Sequence, residues 1–156
     1  DVMSSGLECE IALKVIESYN LPVLVGIHLK DSGQLPSGEK VIDIVKKYKN
    51  NKWLGIIMAC ISPGAYELVI NDLQKLDIPY GFKLNAFKKI PEGYTVASKD
   101  QWGNAGNPIT VLGKNSDLNE SKFYEYAKKF MKNGATILGG CCEIKPSHIK
   151  EIAKLK

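Results

Sequence analysis

The sequence predicts an α/β fold assembled from parallel βα units. Three observations carry this reading. Four short runs are apolar without alternation, as expected of strands buried on both faces. The stretches between them repeat apolar residues at helical spacing, and Pro, Gly and Asn punctuate the joins.

The elements follow in order. Leu7 to Tyr19 places Leu7, Ile11, Val15 and Ile16 at helical spacing, and Asn20 is a suitable stop. Pro22 then introduces the apolar run Val23-Leu24-Val25-Gly26-Ile27, and a Gly/Pro/Ser loop spans Asp31 to Gly38. Glu39 to Tyr48 is helical, with Val41, Ile44 and Val45 on one side. Trp53 to Ala59 is a second buried strand, ending at Cys60. Pro63 suits a helix start, with Tyr66 to Leu76 amphipathic behind it. Pro79 precedes a third strand, Tyr80 to Phe87. A long loop rich in Gly, Asn and Pro runs from Lys88 to Asn115, a length that usually signals function or disorder. Asn119 to Asn133 is a helix closed by Gly134, Ala135 to Leu138 a fourth strand, and Pro146 to Leu155 a final helix. Four such units fit either a small doubly wound sheet or half of a (β/α)8 barrel, and periodicity does not separate the two.

At 156 residues the chain has the size of one domain. Its net charge of +4 is scattered over helix faces, as at Lys46-Lys47 and Lys128-Lys129. A nucleic-acid binder would gather that charge into a stripe with interleaved aromatics. No apolar run has the length of a membrane span, and no signal peptide opens the chain. Four cysteines, two of them adjacent, suit metal or redox chemistry in a reducing compartment, and a cytoplasmic location is expected. Gly103, Gly106 and Gly113 lie in the long loop, so no dinucleotide fingerprint is present. The chain opens on Asp1, in a segment that reads like the middle of a domain, and is expected to be truncated at its N-terminus.

Chemistry concentrates on three cysteines. Cys60 ends the second expected strand, and Cys141 and Cys142 end the fourth. The C-terminal strand ends of parallel α/β folds share one rim, where loops converge on sites. Adjacent residues of a pleated strand point to opposite faces. Gly139-Gly140 is expected to permit the unusual backbone angles that turn both thiols inward. Thiolates are soft ligands, which makes zinc the natural occupant, and three protein ligands leave one coordination position open to a substrate thiol. Adjacent cysteines also suit a vicinal disulfide or two inert core thiols; Cys60 and the double glycine favour zinc. A thiol redox protein lacks support, because no C-x-x-C motif is present.

Other candidates have a plain reading beside the functional one. Cys9 reads as a buried small hydrophobe. His28 ends a strand on the expected rim and could touch substrate, or serve structure. His148 sits just inside a helix start and is expected to cap or pack there. Asn85, at a strand end, could bond a substrate carboxylate or shape a turn. Trp102 could line a pocket for a small-molecule co-substrate or pin its loop.

Gly139-Gly140-Cys141-Cys142, followed by Pro146-Ser147-His148-Ile149, resembles the C-terminal signature of homocysteine S-methyltransferases. Leu35-Pro36-Ser37-Gly38-Glu39 resembles the stretch after that family's fifth barrel strand. Cys60 with Ser62-Pro63 resembles its sixth-strand cysteine, and Leu84-Asn85-Ala86-Phe87 its seventh-strand asparagine segment. Phe123, Ala127, Gly134 and Ala135 fall where its last helix and strand begin and end. The resemblance covers nearly the whole chain. It implies that residues 1–156 form the C-terminal half of a TIM (β/α)8 barrel. It also implies that zinc held by Cys60, Cys141 and Cys142 binds homocysteine sulfur, which takes a methyl group from a small-molecule donor to give methionine. The family uses S-methylmethionine, S-adenosylmethionine, betaine and a methylated folate as donors. Two departures stand out: Ala59 occupies a position where the family usually has asparagine, and the first four strands are absent. A non-catalytic half-barrel that binds zinc or pairs with another chain is the alternative, and a homo-oligomer or a separate N-terminal half would cover its open edges.

Overall fold

A computed structural model describes residues 1–50, 52–90 and 108–155. Along the chain come α1 (Gly6–Ser18), β1 (Val23–Ile27), α2 (Val41–Tyr48), β2 (Trp53–Ile61), α3 (Pro63–Leu73) and β3 (Tyr80–Leu84). Then follow α4 (Pro108–Leu112), α5 (Glu120–Lys132), β4 (Ile137–Gly140), α6 (Pro146–Ile152) and a 3-10 turn, Ala153–Leu155. The strands form one sheet in the order β1-β2-β3-β4, and every pairing is parallel. Spatial order follows chain order throughout. A doubly wound sheet reverses direction at a switch point, and none occurs among the described strands, so the arrangement is compatible with an arc of a barrel.

Local chemistry explains most of the boundaries. Ser5, Ser62 and Asn119 cap α1, α3 and α5, their side chains accepting from the backbone N–H of Glu8, Ala65 and Lys122. Pro63 occupies the first turn of α3, where its missing N–H has no cost. Asn20 follows α1 at φ 53° and Gly134 follows α5 at φ 95°, both left-handed stops.

Several expected boundaries move. β3 ends at Leu84 rather than Phe87, because Asn85 and Ala86 leave the ladder and Phe87 bridges antiparallel to Lys114. β4 runs from Ile137 to Gly140 rather than from Ala135 to Leu138. Glycine's low strand propensity hid Gly139-Gly140 from a reading based on apolar runs, whereas pairing with Lys83 and Leu84 decides the matter. α3 begins at Pro63 itself, and the expected long loop contains α4. Residues 91–107, including Trp102, lie outside the described residues.

Paired residues of parallel strands share a face, so the register yields two distinct surfaces. The row Ile27, Met58, Phe82 and Leu138 joins the helices in one core cluster. At its centre Tyr66, Phe82 and Phe130 pack with ring centroids 4.5–5.4 Å apart, all fully buried. The opposite face carries Gly26, Ile57, Gly81 and Ile137, then Ala59, Lys83 and Gly139. Gly81 has no alternative here, since a Cβ would lie 1.7 Å from the Ile137 carbonyl oxygen.

α1 departs from its periodicity. Its buried residues are Gly6, Cys9 and Leu13, whereas Leu7, Ile11 and Val15 are more than half exposed. The apolar stripe read from spacing therefore faces away from this core. Asp1–Met3 runs beside β1, with Met3 bridging Ile27 in parallel. Among the described residues no helix is long and apolar enough to cross a membrane.

Truncating Phe130 to Ala should cost about 3–5 kcal/mol, because a fully buried ring leaves a cavity between Tyr66 and Phe82. Leu7→Ala should stay within about 0.5 kcal/mol. Urea unfolding followed by circular dichroism measures both, and equal losses would contradict the assigned faces.

Candidate metal centre

Cys60 reaches the site by leaving its strand. The β2–β3 register pairs Ala59 with Lys83 and Ile61 with Leu84, so Cys60 is an unpaired bulge between them. Its φ of 55° lies in the left-handed region, a conformation that costs a non-glycine residue about 1–2 kcal/mol. Cys141 and Cys142 follow β4 directly, in a turn closed by Glu143 at φ 63° and by the Ile144 N–H donating to the Cys141 carbonyl at 3.1 Å.

The double glycine works differently from expectation. Neither Gly139 nor Gly140 is among the left-handed residues, and both continue the strand. The pleat ends at Gly140, so alternation places no constraint on the two thiols beyond it. Gly140 is required for space: a Cβ there would lie 2.3 Å from Ile144 Cγ2, which folds back over it.

The three sulfurs converge. Cys60 Sγ lies 3.7 Å from Cys142 Sγ, Cys141 Sγ lies 3.9 Å from Cys142 Sγ, and all three fall within 4.8 Å of one another. A tetrahedron with metal–sulfur bonds of ~2.3 Å has edges of about 3.8 Å, and the two separations to Cys142 already match such an edge. Cys60 and Cys141 are half-buried and Cys142 is exposed, which leaves an approach from solvent. Among the described residues this is the one group of three ligating side chains.

Crowding splits the three acidities. Donation from the Cys60 thiol holds Cys141 below the ordinary thiol range, with Lys83 adding a favourable charge. Cys60 is pushed up by giving its proton to that bond and by burial, and Cys142 is pushed up by burial and by the charge on Cys141. Without a cation Cys141 is therefore the most readily ionised of the three thiols. A divalent metal would let all three become thiolates, which is the behaviour of a ligand set.

The segment after β3 ties the two cysteine-bearing ends together. The Cys141 N–H donates to the Leu84 carbonyl at 2.7 Å, and the Ala86 N–H to the Cys142 carbonyl at 3.0 Å. The Asn85 N–H donates to the Ile61 carbonyl at 2.9 Å, and Asn85 Nδ2 to the Cys60 carbonyl at 2.7 Å. Asn85 is buried, and its Oδ1 accepts from the Phe87 N–H. It also lines a cavity of about 380 Å³ with Ser62, Phe87, Asn115, Lys122 and Tyr126.

The remaining candidates separate cleanly. His28 follows β1 with Nδ1 3.3 Å from the Ala59 carbonyl, and burial lowers its pKa, which favours the neutral ring. It stands outside the sulfur cluster. His148 Nδ1 accepts from the Lys145 N–H at 3.1 Å, and its Nε2 lies 3.1 Å from the Leu118 carbonyl, so both nitrogens serve the start of α6. Cys9 is fully buried in the core, and burial pushes its thiol up to about 11. Sequence reasoning missed the ion pair of Lys83 with Asp1 on the face opposite the helices. The signal was a lone charge inside an otherwise apolar strand.

At neutral pH without metal, iodoacetamide should modify Cys141 before Cys60 and spare Cys9, since alkylation requires the thiolate and access. Raising the pH should bring Cys142 into reaction next, with Cys60, whose thiol is pushed up furthest, labelled last. Peptide mass spectrometry reads the order, and early labelling of Cys9 would contradict it.

Comparison with known proteins bears on this site. The chain is 24% identical over 160 residues to homocysteine S-methyltransferase 3 of Arabidopsis thaliana, covering 99% of this chain and 42% of that protein. It is 23% identical over 160 residues to homocysteine S-methyltransferase 1 of Zea mays, covering 99% and 45%. With homocysteine S-methyltransferase 2 of Arabidopsis thaliana it shares 22% over 135 residues, covering 86% and 36%. The chain thus spans less than half the length of these curated relatives. A family model described as homocysteine S-methyltransferase matches residues 1–155, and the chain belongs to that family.

Proposed function

We propose that this chain supplies the zinc site of an enzyme that transfers a methyl group to homocysteine thiolate, giving methionine, within a (β/α)8 barrel. The observation that carries the reading is the sulfur cluster, three thiols from two strand ends within 4.8 Å of one another, with two of their separations close to the edge of a zinc tetrahedron. Membership of the homocysteine S-methyltransferase family supports it.

In this reading Cys60, Cys141 and Cys142 would hold the ion, and the exposure of Cys142 leaves an approach for a substrate thiol. Zinc, when bound, supplies Lewis acidity that keeps a substrate thiol deprotonated at neutral pH and fixes its sulfur in place. In the proposed reaction a substrate thiolate would attack the methyl carbon of the donor. A sulfur–carbon bond forms, the bond from methyl to donor breaks, and the electron pair leaves with the donor. The chain's own contribution is orientation: two short strand ends, hydrogen-bonded through Leu84, Asn85 and Ala86, present the sulfurs at fixed spacing. Asn85 has one bond at each polar end of its amide, which supports a role on the cysteine scaffold beside the substrate contact expected of it. His28, neutral and tied to the Ala59 carbonyl, stands beside the site as part of the rim.

Purified under reducing conditions, the chain should bind about one zinc ion per molecule. Serine at Cys60, Cys141 or Cys142 should abolish binding, and Cys9→Ser should leave it unchanged. Zinc uptake should weaken as the pH falls, because Cys60 and Cys142 then hold their protons more completely. Metal analysis after gel filtration, paired with a methionine-formation assay, tests both halves of the proposal. Stoichiometric zinc in the triple serine variant would refute the ligand assignment.

A further inference from the structure

We propose that Asn85 is a positioning residue for the metal centre, its side-chain amide holding Cys60 in the left-handed conformation from which the sulfur reaches Cys141 and Cys142. The proposal rests on the reading that the three cysteines take up zinc.

A residue at φ 55° away from a tight turn needs surroundings that hold it there. Glycine would adopt the conformation freely, but the site requires a sulfur at this position. The restraint must therefore come from neighbours. Asn85 Nδ2 donates to the Cys60 carbonyl at 2.7 Å, the shortest of the bonds that Asn85 makes, and the Asn85 N–H fixes the next carbonyl, that of Ile61. The amide cannot turn over, because Oδ1 accepts from the Phe87 N–H at 3.2 Å and the side chain is only 1% exposed. Nδ2 also lies 3.9 Å from Cys60 Sγ, near enough for a weak N–H···S contact that favours the thiolate. One buried amide thus touches both the backbone and the sulfur of a single ligand.

The competing explanation is that Asn85 merely shapes the turn into Phe87 through Oδ1. Asn85→Asp separates the two, since it keeps that acceptor and removes the Nδ2 donor. Cobalt(II) titration of the reduced chain reads the number of thiolates from the sulfur-to-cobalt charge-transfer band. The unaltered chain should show a three-thiolate band. In N85D the band should weaken as Cys60 is held less firmly, with zinc affinity ~10–100-fold weaker in a chelator competition. Unaltered band and affinity in folded N85D would overturn the proposal. No thiolate band in the unaltered chain would instead refute the zinc reading, and this proposal with it.

A second measurement needs no metal. If Asn85 restrains a strained Cys60, Asn85→Ala should lower the urea midpoint less in a Cys60→Gly background, where the strain is gone, than in the unaltered chain. Equal losses in the two backgrounds would overturn the proposal even if N85D proved too unstable to titrate.

Discussion

The hydrogen bonds that Leu84, Asn85 and Ala86 make to either side are the constraint on which the site depends. β3 lies between the two cysteine-bearing strands, so its end and continuation bond to both cysteine-bearing segments. Leu84 and Ala86 fasten the Cys141-Cys142 turn through main-chain bonds, and Asn85 fastens Ile61 and Cys60. Main-chain bonds are insensitive to side-chain identity, so only Asn85 in this segment must be a particular residue for its polar groups. The sulfur triangle is then a property of the sheet, held at a spacing close to that of zinc ligands before any ion arrives.

That pre-arrangement has an electrostatic consequence. Three thiols within 4.8 Å cannot all ionise, and the result is one acidic thiol and two reluctant ones. In the proposed site a bound cation would relieve that crowding, and its uptake would release protons. The neutral surroundings sharpen this: Ala59, Gly139 and Gly140 contribute no charge, and Lys83 is the nearby cation.

The two faces of the sheet divide the labour. The row through Met58 and Phe82 packs against the helices and carries stability, around the Tyr66–Phe82–Phe130 cluster. The opposite face is built from glycine, alanine and isoleucine, with the Lys83–Asp1 ion pair upon it. Met3 pairs with the end of the β1 edge, and among the described residues the β4 edge and the Leu7, Ile11 and Val15 stripe of α1 are left uncovered. The curated relatives are more than twice as long as the stretch aligned here.

By itself the sequence determined the α/β class, the order of the elements, their caps, and the three cysteines as the chemical focus. These are local matters: apolar runs, Pro63 and Gly134 at helix ends, and soft ligands at strand ends are legible because each acts over a few residues. His148 as a helix-end residue and Cys9 as a core thiol were legible for the same reason. Tertiary structure decided the rest. Strand pairing assigned Gly139-Gly140 to β4, where their composition argued for a bend. A register shift put Cys60 in a left-handed bulge, and no property of cysteine foretells that. Neighbouring elements chose Gly6, Cys9 and Leu13, rather than the apolar stripe, as the buried side of α1. Asn85 became the strut of the site only because β3 ends between β2 and β4, a contact between residues 25 apart in the chain that no local pattern encodes.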